Sequence, residues 1–163
     1  MGKELVVERI FDVPRERVWK AWTTQKEIMK WWGPRGFTAP FITIDFKVGG
    51  KYLYCMRASD EIAKAMGGQK DFWNTGKFKE IVPHSKIVAT TSFSDEKGNV
   101  IPASTYGMSA DMALEAMVTV TFNEVGGKTK LTVRYMGLPD EMIDRARQGW
   151  NESLDKLGEA LGN

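Results

Sequence analysis

The sequence predicts an α+β fold in which a curved antiparallel sheet of seven strands closes around one long C-terminal helix. In the segment from Pro139 to Leu161, apolar residues recur at steps of three or four, which is the period of one helix face. Most of the preceding chain consists of short runs of alternating apolar residues separated by glycine-rich turns, a pattern typical of antiparallel strands. A sheet wrapped around a helix tends to leave a cavity between them, so we expect a container for a small molecule.

Composition indicates an ordinary globular protein. The 163 residues are 42% hydrophobic and 27% charged, which favours one domain spanning residues 1–163 with a sizeable core. The formal net charge of +2 is too small to indicate binding to nucleic acid or to an anionic membrane. The N-terminus lacks a signal-peptide core, and no apolar run is long enough to span a bilayer, so no membrane insertion is expected. With Cys55 as the single cysteine, the expected location is cytoplasmic.

Two short helices are predicted after the first strand, Leu5–Phe11. Pro14 suits the first turn of a helix that runs to Trp22. Thr24 and Glu27 have the spacing of a capping box for the second helix, which Gly33-Pro34 would end. The apolar face of that second helix would be formed by Ile28, Met29, Trp31 and Trp32.

The remaining strands and loops follow from alternation and turn residues. The predicted strands are Phe41–Phe46, Lys51–Arg57, Phe72–Val82, Lys86–Phe93, Glu115–Asn123 and a last one through Leu131, Val133 and Tyr135. Ala58–Lys70 is polar and is predicted to be a long hairpin loop with a helical turn at Glu61–Ala65. Ser94–Ala113 is the longest irregular stretch, and loops of that length are often lids or binding loops.

Several stretches resemble one family over nearly the whole chain. They read FDVPRERVWKAWTTQKEIMKWWGP, DFKVGG, DFWNTGKFKEIVPHSKIV and GGKTKLTVR, followed by Gly149-Trp150 and NESLDKL. The pattern resembles that of bacterial and archaeal proteins similar to the C-terminal domain of the activator of the 90-kDa heat-shock protein ATPase, in the START-like (SRPBCC), birch-pollen-allergen-like superfamily. This resemblance implies a helix-grip fold. The relatives include lipid carriers, polyketide cyclases, hydrolase-like enzymes and co-chaperones, so the fold does not choose a function.

Inward-facing positions of the strands and of the last helix give the candidate ligand site. A small apolar ligand would contact side chains that share the concave face of the sheet or the wider end of the helix. They are Tyr52, Tyr54, Met56, Phe78, Val118, Val120, Phe122, Tyr135, Met142, Ile143, Ala146 and Trp150. A lid over the mouth is predicted from Tyr106, Met108 and Met112.

Three features of this site allow two interpretations. An inward tyrosine needs a hydrogen-bond partner, which could be a ligand oxygen, a water or a buried carboxylate such as Asp45. Gly149 within the helix either makes room for ligand or lies against a bulky tryptophan. The tryptophans of the two short helices either close the cavity or only pack the core. These are Trp19, Trp22, Trp31 and Trp32.

Chemistry beyond binding has little support in the sequence. The single histidine, His84, lies in a turn predicted to be far from the cavity, and no Cys/His cluster indicates a metal, so neither a cofactor nor a metal is expected. Three hypotheses remain: a binding protein for a small apolar molecule, a cyclase- or hydrolase-like enzyme using the same cavity, and a module that binds a chaperone. Either a monomer or a homodimer is compatible with the sequence.

Overall fold

In the computed structural model, which describes residues 3–162, seven strands alternate with four α-helices and two 3₁₀ turns. The elements in chain order are β1 (Lys3–Phe11), α1 (Arg15–Thr23), α2 (Gln25–Ile28), β2 (Phe37–Ile44), β3 (Lys51–Ala58), α3 (Asp60–Ala65), β4 (Asp71–Val82), β5 (Lys86–Ser94), β6 (Ala116–Val125), β7 (Lys128–Leu138) and α4 (Ile143–Ala160). The 3₁₀ turns are Ala103–Tyr106 and Asp140–Met142.

All seven strands form one antiparallel sheet in the order β1-β7-β6-β5-β4-β3-β2. Strands β2 to β7 are neighbours in chain order, whereas β1 pairs with the last strand, β7. The β3–β4 connection contains α3, and the β5–β6 connection is the longest, at residues 95–115. The sheet curls into a half-barrel around α4, which confirms the predicted fold class.

Apolar burial and polar ties both hold α4 against the sheet. Leu154 and Leu157 are completely buried in the main core. Along the β1 side, Arg9 donates to Asp155 at 2.7 Å, and Arg147 donates to the Val6 carbonyl at 2.8 Å. These contacts fix both how closely α4 approaches the sheet and where it lies along β1.

Strand β2 begins at Phe37 rather than at Phe41, so the predicted start was wrong. Pro40 lies inside this strand, although proline cannot donate to a strand ladder. The structure accommodates it because β2 is an edge strand, with a register shift between Thr38 and Phe41 against β3.

The second short helix is shorter than its apolar pattern indicates. It ends at Ile28, and Met29 is 38% exposed instead of sharing a buried face with Trp31. The predicted capping box does not form, because the Thr24 side chain caps nothing and Glu27 pairs with Arg17 and Lys30.

The remaining differences in the fold are small. The helical turn expected in the β3–β4 loop is α3, capped by the Ser59 side chain, which accepts from the Ile62 amide. The last helix begins with a 3₁₀ turn after Pro139 and becomes α-helical at Ile143. Within residues 3–162, no helix is both long and apolar enough to cross a membrane.

Candidate functional site

A cavity of about 330 Å³ lies between the concave face of the sheet and the N-terminal half of α4. Its lining is mostly apolar and comes from β3 to β7, α4, Trp22 of α1 and several connecting loops. The structure places these predicted site residues on its walls: Tyr52, Tyr54, Met56, Phe78, Val118, Val120, Tyr135, Met142, Ala146 and Trp150.

Phe122 and Ile143 are the predicted wall residues that do not line the cavity. Phe122 is completely buried because Trp19 of α1 packs edge-on against it, with ring centroids 5.1 Å apart. Ile143 lies one turn before Arg147, on the side of α4 that faces β1, where it packs against the core. Phe122 is buried on the inner face of the sheet, as the alternation along β6 predicts, but α1 fills the space in front of it.

The cavity opens between the start of α4 and the loop that joins β5 to β6. Arg145 is exposed and borders the opening, together with Met108 and Met142. The same three residues border a second pocket, whose other walls include Met66 and Tyr106. Arg145 is the one charged side chain of the cavity lining within residues 3–162.

The predicted lid residues do not behave alike. Met108 and Met112 both line the cavity. Tyr106 instead holds the loop to the sheet: its hydroxyl donates to the Ser94 carbonyl and accepts from the Trp73 amide. Tyr106 is therefore an anchor of the loop and not part of a cover over the cavity.

Tryptophan rings form one wall of the cavity. Trp22, Trp32 and Trp150 line it, and the rings of Trp22 and Trp150 are parallel with centroids 6.2 Å apart. Trp31 lies behind them, fully buried, and donates its indole hydrogen to the Ala21 carbonyl at 3.0 Å. Part of the tryptophan cluster therefore packs the core and part of it faces the cavity, so each of the two interpretations applies to some of these residues.

Tyr52 has a partner within the protein. Its hydroxyl donates to the Thr90 carbonyl at 2.7 Å. This hydrogen bond crosses β4 at Gly76, which lies opposite Tyr52. A Cβ at Gly76 would lie 1.9 Å from the Thr90 carbonyl oxygen and 2.6 Å from the Tyr52 hydroxyl. Glycine is required there so that the phenol can reach across the strand. Asp45, the carboxylate considered as a partner, is exposed.

The other polar groups of the cavity gather beside Tyr52 on the concave face of the sheet. Asn74 lies opposite Tyr54 in the β3–β4 register, and its amide donates to the Thr91 hydroxyl at 3.1 Å. Burial raises the pKa of Tyr135 to about 12, and contact with the Thr91 side chain acts in the opposite direction. Burial also raises the pKa of Tyr54 well above its usual value, so these phenols stay protonated at neutral pH.

Gly149 faces the cavity and leaves open space. A Cβ built there meets no atom within 4 Å, apart from the helix's own backbone. The interpretation that Gly149 accommodates a bulky tryptophan in close contact is therefore wrong. Its missing side chain enlarges the cavity.

Sequence reasoning missed Asn74, Thr91, Ser92 and Arg145. Alternation along β4 places Asn74 on the same face as Phe72 and Gly76, and this signal could have identified it. Arg145 gives no such signal, because its role depends on where the neighbouring loop lies.

Nothing in the described chain resembles a metal centre or a paired acid and base. Residues 3–162 contain no group of three or more His, Cys, Asp and Glu side chains arranged to hold a metal ion. His84 is exposed in the β4–β5 turn with a φ of 64°. Its ring lies 5.7 Å from that of Trp19 and is absent from the cavity lining.

The curled seven-stranded sheet, the long C-terminal helix and the cavity between them define a helix-grip protein of the START type. The family model described as "Activator of Hsp90 ATPase homolog 1-like protein" matches residues 12–162, and the chain belongs to this family. The resemblance stated from the sequence is thereby confirmed.

Solved structures agree on the fold. A Chromobacterium violaceum protein superposes with a TM-score of 0.78 at 24% identity, over 100% of this chain and 99% of that one. The AHSA1 protein of Silicibacter pomeroyi gives 0.75 at 23% identity, covering 98% of each chain. The AHSA1-like protein of Aeromonas hydrophila gives 0.71 at 19% identity, over 98% of this chain and 92% of that one. No curated protein matches the chain in sequence.

Proposed function

We propose that this protein binds a small, largely apolar molecule in the cavity between the sheet and α4. The observation that carries the proposal is the cavity itself, about 330 Å³ in volume and walled mainly by aromatic and aliphatic side chains. Sites for small molecules are typically about 300–1,000 Å³, apolar, and provided with a few placed polar groups. Gly149 supports the proposal, since a glycine within a helix costs about 1 kcal/mol relative to alanine and here adds only empty space.

The proposal predicts that filling the space at Gly149 abolishes binding. Gly149→Leu would place a branched side chain in the cavity and should lower the affinity for N-phenyl-1-naphthylamine, a neutral apolar fluorescent probe, by at least about tenfold. The matched control is Gln148→Leu, one residue earlier on the exposed side of the same helix. Probe fluorescence measures the affinity, and NMR shifts at Trp150, Tyr54 and Met142 in the wild type locate the probe. Equal binding by both variants, or no shifts at these residues, would refute the proposal.

A chaperone partner rests on the family's name alone. Activation of the Hsp90 ATPase would require a docking surface, whereas the cavity is an internal feature of the chain. Adding the protein to a purified chaperone of that class and measuring ATP hydrolysis tests this second function. Because Gly149→Leu changes the cavity and not the outer surface, any stimulation should survive that substitution.

Catalysis in the same cavity is the third possibility, and the polar groups available to it are uncharged apart from Arg145. Its lining within residues 3–162 contains phenols, hydroxyls, the Asn74 amide and the Arg145 guanidinium but no histidine or carboxylate. Turnover of a bound compound that is lost on Tyr52→Phe or Tyr54→Phe would support an enzyme in place of a carrier.

A further inference from the structure

We infer that the cavity selects a ligand with an uncharged carbonyl oxygen, and that the hydroxyl of Tyr54 donates the hydrogen bond to it. The inference rests on the proposed function, because it names the chemical class of the ligand for the same cavity.

Tyr54 lies on the cavity wall, and its hydroxyl has no hydrogen-bond partner among residues 3–162. The residue is 6% exposed, and its ring packs between Trp32, 4.8 Å away, and Tyr52, 4.6 Å away. Within residues 3–162 its hydroxyl makes no hydrogen bond, and the residue lines the cavity. Buried polar groups are nearly always hydrogen-bonded, so a donor left free on a cavity wall indicates a partner that the cavity receives.

Tyr52 and Asn74, the polar neighbours of Tyr54 on β3 and β4, are already engaged. Tyr52, two residues earlier on β3, donates to the Thr90 carbonyl. Asn74 donates to the Thr91 hydroxyl, which also contacts Tyr135. Among the phenols of the cavity, Tyr54 is therefore the one whose hydroxyl has no partner within residues 3–162, and the rings of Trp32 and Tyr52 hold it in place.

The charges around Tyr54 indicate whether its hydrogen-bond acceptor on the ligand is charged or neutral. Burial favours the protonated form of Tyr54, so the hydroxyl remains a donor at neutral pH. The one charged side chain of the lining within residues 3–162 is Arg145, which is exposed at the mouth. A carboxylate beside Tyr54 would lose its hydration without gaining a cation, and burying an unpaired charge is strongly unfavourable. A ketone, ester or amide oxygen requires only a neutral donor, which the Tyr54 hydroxyl provides.

The test uses two probes of the same shape, 2-acetylnaphthalene and 2-isopropenylnaphthalene, which differ only in a carbonyl oxygen replaced by a CH₂ group. Calorimetry gives the ratio of their affinities for the wild type and for Tyr54→Phe, which keeps the ring and removes the hydroxyl. We expect the substitution to shift this ratio by about 5–10-fold against the ketone, the value of one net hydrogen bond. The matched control is Tyr106→Phe, which removes a phenol hydroxyl that lies outside the cavity lining and is bonded to Ser94 and Trp73, and it should leave the ratio unchanged.

The possible outcomes separate the inference about Tyr54 from the proposal that the cavity binds a small apolar molecule. A change in the ratio of less than twofold for Tyr54→Phe, with both probes bound, overturns the inference and leaves the proposed function standing. Binding of 2-naphthoate as tightly as the ketone overturns the choice of an uncharged oxygen. If the wild type binds neither naphthalene probe, the inference and the proposed function both fail.

Discussion

Gly76 determines how the phenols of the cavity are arranged. It lies opposite Tyr52 in the β3–β4 register, and its lack of a side chain lets the Tyr52 ring cross β4 to the Thr90 carbonyl. If that bond were absent, the cavity would contain two free phenols, Tyr52 and Tyr54, in place of one. A single glycine thus separates a phenol used for structure from a phenol available to a ligand.

Gly76→Ala should destabilise the protein. The new methyl group would overlap the Thr90 carbonyl oxygen, at 1.9 Å, and the Tyr52 ring, so either the strand or the ring must move. We expect the free energy of unfolding to fall by about 1–3 kcal/mol, as for other overpacked sites. Urea denaturation measures the change.

The matched control for this substitution is Gly149→Ala. Its methyl group meets open space, and alanine is the better helix former, so stability should rise by up to about 1 kcal/mol. If both alanine substitutions had the same effect, the close approach at Gly76 would not be what limits that position.

Sequence predicts the faces of residues better than it predicts their partners. Alternation along β3 correctly places Tyr52 and Tyr54 on the concave face. It could not show that one hydroxyl is bonded and the other free, because the bond depends on the register of β3, β4 and β5 together. That register is a tertiary property, and the sequence indicates it only through Gly76.

At the scale of the elements, Lys156 connects α4 to the segment between α2 and β2. Its ammonium group donates to the carbonyls of Gly33 at 2.9 Å and Phe37 at 3.0 Å, with the Pro34 carbonyl at 3.5 Å. Gly33 and Pro34 line the cavity. One lysine on the helix thus holds part of the cavity's rim in place.

Lys156→Met should loosen this rim. The substitution keeps much of the apolar stem but leaves the carbonyls of Gly33 and Phe37 without their donor, so we expect a loss of about 1–3 kcal/mol in unfolding free energy. Amide hydrogen exchange should accelerate over residues 33–37 more than elsewhere. Lys20→Met, which removes an exposed lysine of α1, is the control. Unchanged exchange over that segment would contradict the role assigned to Lys156.

The elements themselves were predicted unevenly. The long helix and the strands with regular alternation were found because burial on one face determines their pattern. The start of β2 and the end of α2 were not, because Pro40 is tolerated only at an edge strand and Met29 turns outward where the helix stops. At both positions the local sequence allows more than one structure, and the arrangement of the neighbouring elements determines which one forms.

At the scale of the molecule, the wrapped helix was predictable but the shape of the cavity was not. Sheet and helix follow from periodicity, and the presence of a space between them follows from their curvature. Its extent depends on which side chains enter it: α1 fills the end near Phe122, whereas Gly149 leaves the other end open. The sequence alone indicates neither where α1 packs nor the open space beside Gly149.

The cavity also makes the whole molecule sensitive to alkali. Burial raises the pKa values of Tyr52, Tyr54 and Tyr135, the last to about 12, above the usual value of 10.0. A raised pKa in the folded state means that the protonated phenol favours folding. This stability is fully present below pH 10 and is lost as pH rises towards 12 and beyond. Burial lowers the pKa of Lys156, so the loss of its proton near pH 10 favours the folded state. This single group opposes the destabilising effect of the three tyrosines.

We therefore expect the midpoint of urea unfolding to fall as pH rises from 10 to 12. Tyr135, whose pKa is about 12 in place of 10.0, should contribute up to about 2 kcal/mol of this loss, since one pKa unit corresponds to about 1.4 kcal/mol. Tyr135→Phe should make the pH dependence shallower, whereas a bound neutral probe should raise stability at every pH in this range. Absorbance at 295 nm follows phenolate formation directly. If these tyrosines titrated near pH 10 while the protein stayed folded, water would already reach the phenols of the empty cavity, and burial would not control their protonation.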